Sequence, residues 1–382
     1  MSTQKFAVVS HIVPPSYSGQ AVMLYRILKK FNPEDYLIIA SSNQDKNIVS
    51  TNILTCENLT IPLYKRINSI YCFVFLKPLN FLRAINQRSR ELAKILKRYP
   101  NINTLVACTG DFIDLPACYM CAKKTKIKLV CYLFDDYVSQ WTGFMGFLAW
   151  VIHRPIFRFS KSLIVPNEFL ANKYKFLNSK IVIVRNPINP SGNVNKIEFT
   201  KNNFNIVYTG AVYDAHLDAF KSFVSCIKKI PDARLHLYTA QPKKDLLKSS
   251  ILTDQVIYHP HLRENDVANV LASADLLFLP LAFNSPYPEV IRTSAPGKMG
   301  EYLQSGRPTI VYAPKNSFIS DFFRKNYCGV VVDEQNEQLL IEAIEKIREN
   351  KDLVKEIKKN SLKIAREFDI DKNILRFKRA LK

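Results

Sequence analysis

Acidic residues are scarce in this chain: 33 Asp and Glu stand against 54 Lys and Arg over 382 residues, a net charge of +21. The imbalance is concentrated early. Residues 1–200 hold 26 basic and 11 acidic side chains, so they carry +15 of the total and the remainder carries +6. Such a surface disfavours cationic partners and suits nucleic acid or anionic lipid headgroups, between which charge alone does not choose. A disulfide framework is also lacking. The eight cysteines (Cys56, Cys72, Cys108, Cys118, Cys121, Cys131, Cys226 and Cys328) are mostly scattered through apolar runs and read as reduced core residues. Only Cys118-Tyr-Met-Cys121 is closely spaced, and without a second ligand cluster it reads as core helix rather than a metal site. No uncharged run reaches the roughly 18 residues that span a bilayer, residues 141–152 coming nearest. The opening Met-Ser-Thr-Gln-Lys-Phe-Ala-Val-Val has no basic region followed by a long apolar stretch, so a cytoplasmic location is expected. Internal repeats and low-complexity tracts are missing too, which excludes solenoid folds.

What is present is a rhythm. With 47% hydrophobic residues the chain has enough apolar material for two cores. β-branched runs at Phe6–Val13, Tyr36–Ser41, Thr104–Cys108, Lys128–Phe134, Leu163–Pro166 and Ile181–Val184 alternate with helix-like stretches such as 19–32 and 78–98. After a loop rich in Asn, Pro, Ser and Gly at 186–195, the pattern restarts. Its strands are Ile206–Gly210, Arg234–Thr239, Val256–His259, Leu276–Pro280, Thr309–Tyr312 and Val330–Val332. This predicts an α/β chain with two doubly wound parallel sheets, domains at 1–190 and 200–365, and a helical segment 366–382. That last segment either closes the second domain or crosses back to the first.

In a parallel sheet ligands gather beyond the carboxyl ends of the strands, where loops and helix starts offer free N–H groups. The second half supplies strand Leu276–Pro280, a proline-rich loop, and a helix opening near Gly297 and running to Ser305. Ala272-Ser-Ala-Asp-Leu-Leu-Phe-Leu-Pro-Leu281, Pro296-Gly-Lys-Met-Gly-Glu-Tyr-Leu-Gln-Ser-Gly-Arg-Pro308 and Ile310-Val311 together resemble the retaining, family-4-like glycosyltransferases of GT-B architecture. Weaker similarities support this at Pro14–Gly19, Ile164–Glu168 and Arg185-Asn186-Pro187. The resemblance implies two Rossmann-like domains facing a cleft, the first for an acceptor and the second for a nucleotide-sugar donor. By the same resemblance Glu301 grips the ribose hydroxyls of that donor, a task suited to a carboxylate that accepts two O–H groups.

The resemblance and the strand-end positions mark further residues. Lys298, one turn before Glu301, meets phosphate oxygens or pairs with Glu301. Gly297, Gly210, His261, Thr293 and Ser294 fall on the donor side, and His11, at the end of the first strand, is assigned to acceptor or donor-sugar binding. Two departures matter. Where relatives carry a Glu eight positions before the ribose carboxylate, this chain has Thr293, and Glu289 is out of register. Where many carry an Arg and then a Lys after the strand ending at Gly210, it has Ala211-Val-Tyr-Asp-Ala-His216. Negative charge on a departing diphosphate still needs a cation or dipole, and Lys298, Arg292, Arg185 and His216 are the candidates, with a capping or packing role as the alternative for His216. No Asp-x-Asp motif appears in a suitable context. Asp135-Asp136 reads as a helix-capping pair or an acceptor contact, so neither a metal nor another cofactor is expected.

Residues 65–98 hold nine basic side chains (Lys65, Arg66, Lys77, Arg83, Arg88, Arg90, Lys94, Lys97 and Arg98) against Glu91, with Tyr71, Phe73, Phe75 and Phe81 between them. This reads as an anionic membrane surface or as the solvated face of an ordinary helix. The function expected is sugar transfer from a nucleoside diphosphate donor to a glycan or lipid-linked glycan, placed on the inner face of a membrane. A non-catalytic or nucleic-acid-binding relative is the alternative, though no nucleic-acid motif favours it. A GT-B-shaped epimerase would need acid and base carboxylates that the sequence does not place.

Overall fold

Burial with a period of two along the first strand sets the plan of the N-terminal unit. Phe6 and Val8 point into one apolar layer and Ala7 and Val9 into another, all four fully buried, as a strand covered on both faces requires. The computed structural model describes residues 5–16, 18–41, 53–62, 73–189, 192 and 194–382. They fall into two units, Met1–Pro187 with Ile370–Lys382, and Ile188–Asp369.

In the first unit the strands are β1 (Lys5–Ser10), β2 (Tyr36–Ser41), β3 (Glu57–Ile61), β4 (Ile102–Cys108), β5 (Lys128–Tyr132), β6 (Ser162–Val165) and β7 (Ile181–Ile183). They form a seven-stranded parallel sheet of order β3-β2-β1-β4-β5-β6-β7, so the order reverses between β1 and β4. The helices are α1 (Gly19–Leu28), α2 (Phe73–Arg98), α3 (Asp114–Thr125), α4 (Gly143–Phe159) and α5 (Glu168–Tyr174). Leu24 and Ile27 of α1 join the Phe6 layer, while Leu92 of α2 and Leu115 and Cys118 of α3 join the Ala7 layer. Cys118 and Cys121 are buried on one helix as free thiols.

The second unit repeats the scheme with β8 (Phe204–Thr209), β9 (Ala233–Tyr238), β10 (Val256–His259), β11 (Leu276–Pro280), β12 (Thr309–Tyr312) and β13 (Val330–Val332). Their order is β10-β9-β8-β11-β12-β13, all parallel, with the reversal between β8 and β11. Eight helices accompany them: α6 (Leu217–Ile227), α7 (Lys243–Lys248), α8 (Glu264–Ser273), α9 (Pro288–Thr293), α10 (Met299–Ser305), α11 (Phe318–Asn326), α12 (Glu337–Glu349) and α13 (Lys351–Ala365). The final helix, α14 (Ile370–Leu381), belongs to the first unit. Its Phe377 ring lies 6.0 Å from both Phe6 and Tyr132, Ser162 Oγ donates to the Ala380 carbonyl at 2.7 Å, and the Arg185 N–H donates to Asn373 Oδ1 at 2.8 Å.

Two details depart from the sequence reading. Strand β3 was not anticipated, because as an edge strand it buries only Ile61 fully and lacks a continuous apolar run. The C-terminal segment returns at Ile370 rather than 366, since Arg366–Phe368 forms a 3-10 turn whose Phe368 packs against Phe322 of the second unit. The loop expected as a linker contains Pro190, Ser191 and Asn193, which lie outside the described residues.

The basic segment 65–98 also divides. Lys65, Arg66 and Tyr71 lie outside the described residues, as do the side chains of Phe73, Phe75 and Lys77. Arg88 is not part of an outward face: it shares a stripe with Ala84 and Leu92 and turns inward, donating through Nε to Asp114 Oδ1 at 2.8 Å. Phe81 likewise packs on Phe112, ring centroids 5.5 Å apart. Arg83, Arg90, Lys94, Lys97 and Arg98 stay exposed.

Candidate functional site

The reversal of strand order in the second unit lies beside the end of β8, where Gly210 adopts φ +116, a backbone conformation that side chains resist. Its N–H donates to the Tyr238 carbonyl at 2.8 Å. The turn that follows is fastened from two sides. Tyr208 Oη donates to the Ala211 carbonyl at 2.6 Å, and the Val212 N–H donates to Gln241 Oε1 at 2.6 Å. The bare Cα of Gly210 faces Lys298: a Cβ there would stand 3.0 Å from Lys298 Nζ. The same Nζ lies 3.8 Å from the centroid of the Tyr208 ring, a cation–π distance.

Lys298 caps α10, and Glu301 sits in the first turn of that helix. The helix begins at Met299 and not at Gly297, because the Met299 N–H first closes a turn on the Pro296 carbonyl at 3.0 Å. Burial pushes the Lys298 ammonium down to about 7, with Glu301 opposing that shift. Tyr302 is fully buried and its hydroxyl accepts the Thr209 N–H at 3.0 Å, which locks the start of α10 to the end of β8. Gly210 at the end of β8 and Lys298 at the start of the helix that carries Glu301, far apart in sequence, are thus brought together.

The other donor-side candidates are less directly placed. Thr293 is buried and donates through Oγ1 to the Glu289 carbonyl at 2.9 Å, closing α9, while Ser294 is its cap. Arg292 and Glu289 pair side by side, Nε to Oε2 at 2.8 Å. His261 is exposed in the loop after β10. Its neighbour His259 joins a chain within the sheet: His259 Nε2 lies 3.0 Å from His236 Nδ1, whose ring Nε2 lies 3.1 Å from Asn205 Oδ1. His216 stands at the N-cap position of α6 without a side-chain cap bond and is buried. Among the described residues no three His, Cys, Asp or Glu side chains gather as a metal-ligand set.

His11 and Arg185 belong to the first unit. His11 follows β1 at that sheet's own reversal point, its ring against Gly110 so closely that a Cβ there would fall 2.1 Å from Cε1. Burial lowers its pKa, Asp114 pulling upward and Arg88 downward. Arg185 is buried and pairs with Glu168 at 2.5 Å. Asp136 is a buried anchor that accepts from the Tyr174 hydroxyl, the Lys173 ammonium and Ser139 Oγ, so it is not the helix cap that the sequence suggested. The sequence reading missed Tyr208, Tyr302 and Gln241. Tyr302 stands inside the Glu-Tyr motif and Gln241 lies just after a strand end, the two places where a search would have found them.

Comparison with known proteins follows the same outline. Residues 203–350 match the family model for glycosyl transferases group 1. No curated protein matches the chain by sequence. Among solved structures, HepE of Anabaena in complex with UDP and glucose is 13% identical, with 99% of each chain covered and a TM-score of 0.69. WaaG, a glycosyltransferase involved in lipopolysaccharide biosynthesis, is 14% identical, with 98% of each chain covered and a TM-score of 0.61. A putative UDP-N-acetylglucosamine 2-epimerase from Listeria monocytogenes is 11% identical, with 100% of this chain and 96% of that one covered and a TM-score of 0.59. The chain has the GT-B fold of two Rossmann-like parallel-sheet units, and its second unit matches the glycosyl transferases group 1.

Proposed function

We propose that this protein is a glycosyltransferase that takes a hexose from a nucleoside-diphosphate-sugar donor and passes it, with retention at the anomeric carbon, to a glycan or lipid-linked glycan in polysaccharide or glycolipid synthesis. The observation that carries this reading is the approach of Lys298, at the start of the helix that carries Glu301, to Gly210 at the end of β8, inside the span that matches the transferase family. Glu301 accepts the ribose hydroxyls, Lys298 meets the diphosphate, and the bare Gly210 lets phosphate approach the backbone. The match at 203–350 favours a transferase over an epimerase, a choice that the fold alone leaves open. The donor is a substrate, and the reading needs no metal.

Thermal stability with UDP, GDP, ADP and CMP, in wild type and Glu301→Ala, tests it. One nucleotide should stabilise the wild type and lose its effect in the variant. If none does, while oligonucleotides bind tightly at physiological salt, the nucleic-acid reading replaces it.

Contact with an anionic membrane belongs to the same proposal, and in the first unit α4 supports it more directly than residues 65–98. Phe144, Phe147, Trp150, Val151 and Phe159 are all exposed on α4, and Arg154 lies over the Trp150 ring at 4.1 Å. The helix contains no acidic residue. Aromatic groups beside arginines suit the headgroup boundary of a bilayer, on a protein with no described helix long and apolar enough to cross one.

A further inference from the structure

Strand β7 closes one side of the first unit's sheet, and among the described residues no strand pairs with it on its far side. Its ladder with β6 decides which groups are left over. Leu163 stands opposite Ile181 and Val165 opposite Ile183, the Leu163 N–H donates to the Lys180 carbonyl at 3.0 Å, and the Val184 N–H donates to the Val165 carbonyl at 2.9 Å. In a parallel pair such bonds occupy the main chain of alternate residues, here Lys180, Val182 and Val184, so the N–H and C=O groups of Ile181 and Ile183 point away from the sheet. Helix α14 runs alongside, held near its two ends by the Asn373 bond to Arg185 and the Ala380 bond to Ser162. Between the strand edge and that helix lies a groove of about 710 Å³.

Every charged residue that lines the groove is basic: Lys161 before β6, Lys180 before β7, and Arg376, Arg379 and Lys382 at three-residue intervals along α14. The sequence keeps acid away from it, with no Asp or Glu in 137–167, 169–197 or 372–382. Lysines on an exposed strand guard against edge-to-edge aggregation, and basic groups at the end of a helix complement its dipole. Neither accounts for cations gathered from three separate elements around one hollow. Lys180, and more weakly Lys128, push the Lys161 ammonium below its ordinary value. Such crowding opposes folding, and an arriving anion relieves it.

We propose that this groove is a docking site for an acidic, extended segment of a partner protein, which adds to the sheet as a strand beside β7 and sets its carboxylates against the cations. The outward N–H and C=O groups of Ile181 and Ile183 supply main-chain pairing, and the basic rim selects by charge. A second copy of the same edge is the wrong occupant, because it brings five cations against five. A nucleic acid backbone offers phosphate oxygens to the lysines but no N–H groups to the two outward carbonyls. A bilayer surface, broad and flat, does not enter a hollow beside a strand. The docking lies in the first unit and uses none of the residues assigned to donor or acceptor, so it stands apart from the sugar-transfer reading.

Fluorescence anisotropy of the full chain with a labelled peptide of alternating Glu and Val reads the docking. The wild type should bind it at physiological salt, and about tenfold more weakly when the salt is raised to about 0.5 M. Lys180→Glu combined with Arg379→Glu, both exposed positions, should cost at least about tenfold. Two N-methylated forms of the peptide, one methylated on its Glu residues and one on its Val residues, keep every charge. One of them lacks the donors on its pairing edge and should bind about tenfold more weakly than the parent. That arm uses the unaltered protein, so it does not depend on how a variant folds. Absence of binding by the wild type, a double variant as tight as the wild type, or both N-methylated forms as tight as the parent overturns the proposal. So does a duplex oligonucleotide or a phosphatidylserine vesicle that displaces the peptide at physiological salt, or a dimer of the free chain that excludes it.

Discussion

The buried hydroxyl of Tyr302 accepts the N–H of Thr209 at 3.0 Å, joining the helix that carries Glu301 to the last residue of β8. The bond crosses 93 residues of sequence and fixes the distance between the Gly210 turn and the start of α10. Tyr302→Phe should cost about 1–3 kcal/mol, because it orphans a buried donor. Urea denaturation reads this, and nucleotide affinity should fall in parallel. A variant as stable and as tight as wild type would show that the bond positions nothing.

Gly210→Ala tests the other side of the same junction. The φ of +116 and a Cβ 3.0 Å from Lys298 Nζ both oppose a side chain. Stability should drop by about 1–3 kcal/mol, and the displaced ammonium should weaken nucleotide binding by at least about tenfold, measured by calorimetry.

His216 gives the acid side of the stability curve a definite sign. Its folded value of about 3 lies below the ordinary 6.5, so between those limits the unfolded chain binds a proton that the folded chain refuses. Stability should therefore fall as pH drops from 6.5 towards 3, by on the order of a few kcal/mol. His216→Gln should flatten that limb, as read from urea midpoints at several pH values. A limb of unchanged slope would assign the acid sensitivity elsewhere.

Arg88 and Asp114 form a buried ion pair in the first unit, with Asp114 Oδ2 left without a hydrogen-bond partner. Asp114→Ala should cost about 3–5 kcal/mol by stranding the guanidinium, whereas Asp114→Leu combined with Arg88→Met should recover much of the loss. Chemical denaturation of the two variants decides it, and equal losses would argue against a stranded charge.

The membrane proposal has a built-in reporter. The chain holds two tryptophans. Trp141 packs edge-on against Phe112 at 5.4 Å, whereas Trp150 is 46% exposed. Vesicles containing anionic lipid should shift Trp150 emission to the blue and float the protein, and Phe147→Ser with Trp150→Ser should abolish flotation. Indifference to lipid charge would count against it.

Much of this was legible in the sequence, for a physical reason. Strands buried on both faces must be continuously apolar, so β8 and β11 stand out as Ile-Val-Tyr and Leu-Leu-Phe-Leu. The Lys298-x-x-Glu301-Tyr302 motif is local and survives as spacing. β3 is an edge strand with little to bury, and so left no signal. Arg88 looked like one more charge on a basic helix, because its partner lies 26 residues on, across a helix packing that spacing does not encode. Lys298 against Gly210 is the same case over a longer reach.

The place of α14 has a consequence for how the molecule is made. The first unit is not continuous in the chain: Asn373, Phe377 and Ala380 complete its packing only once the residues after Asp369 exist. During synthesis the domain begun first is therefore finished last, and the second unit is whole before it. Removing α14 should injure the part of the protein furthest from it in sequence.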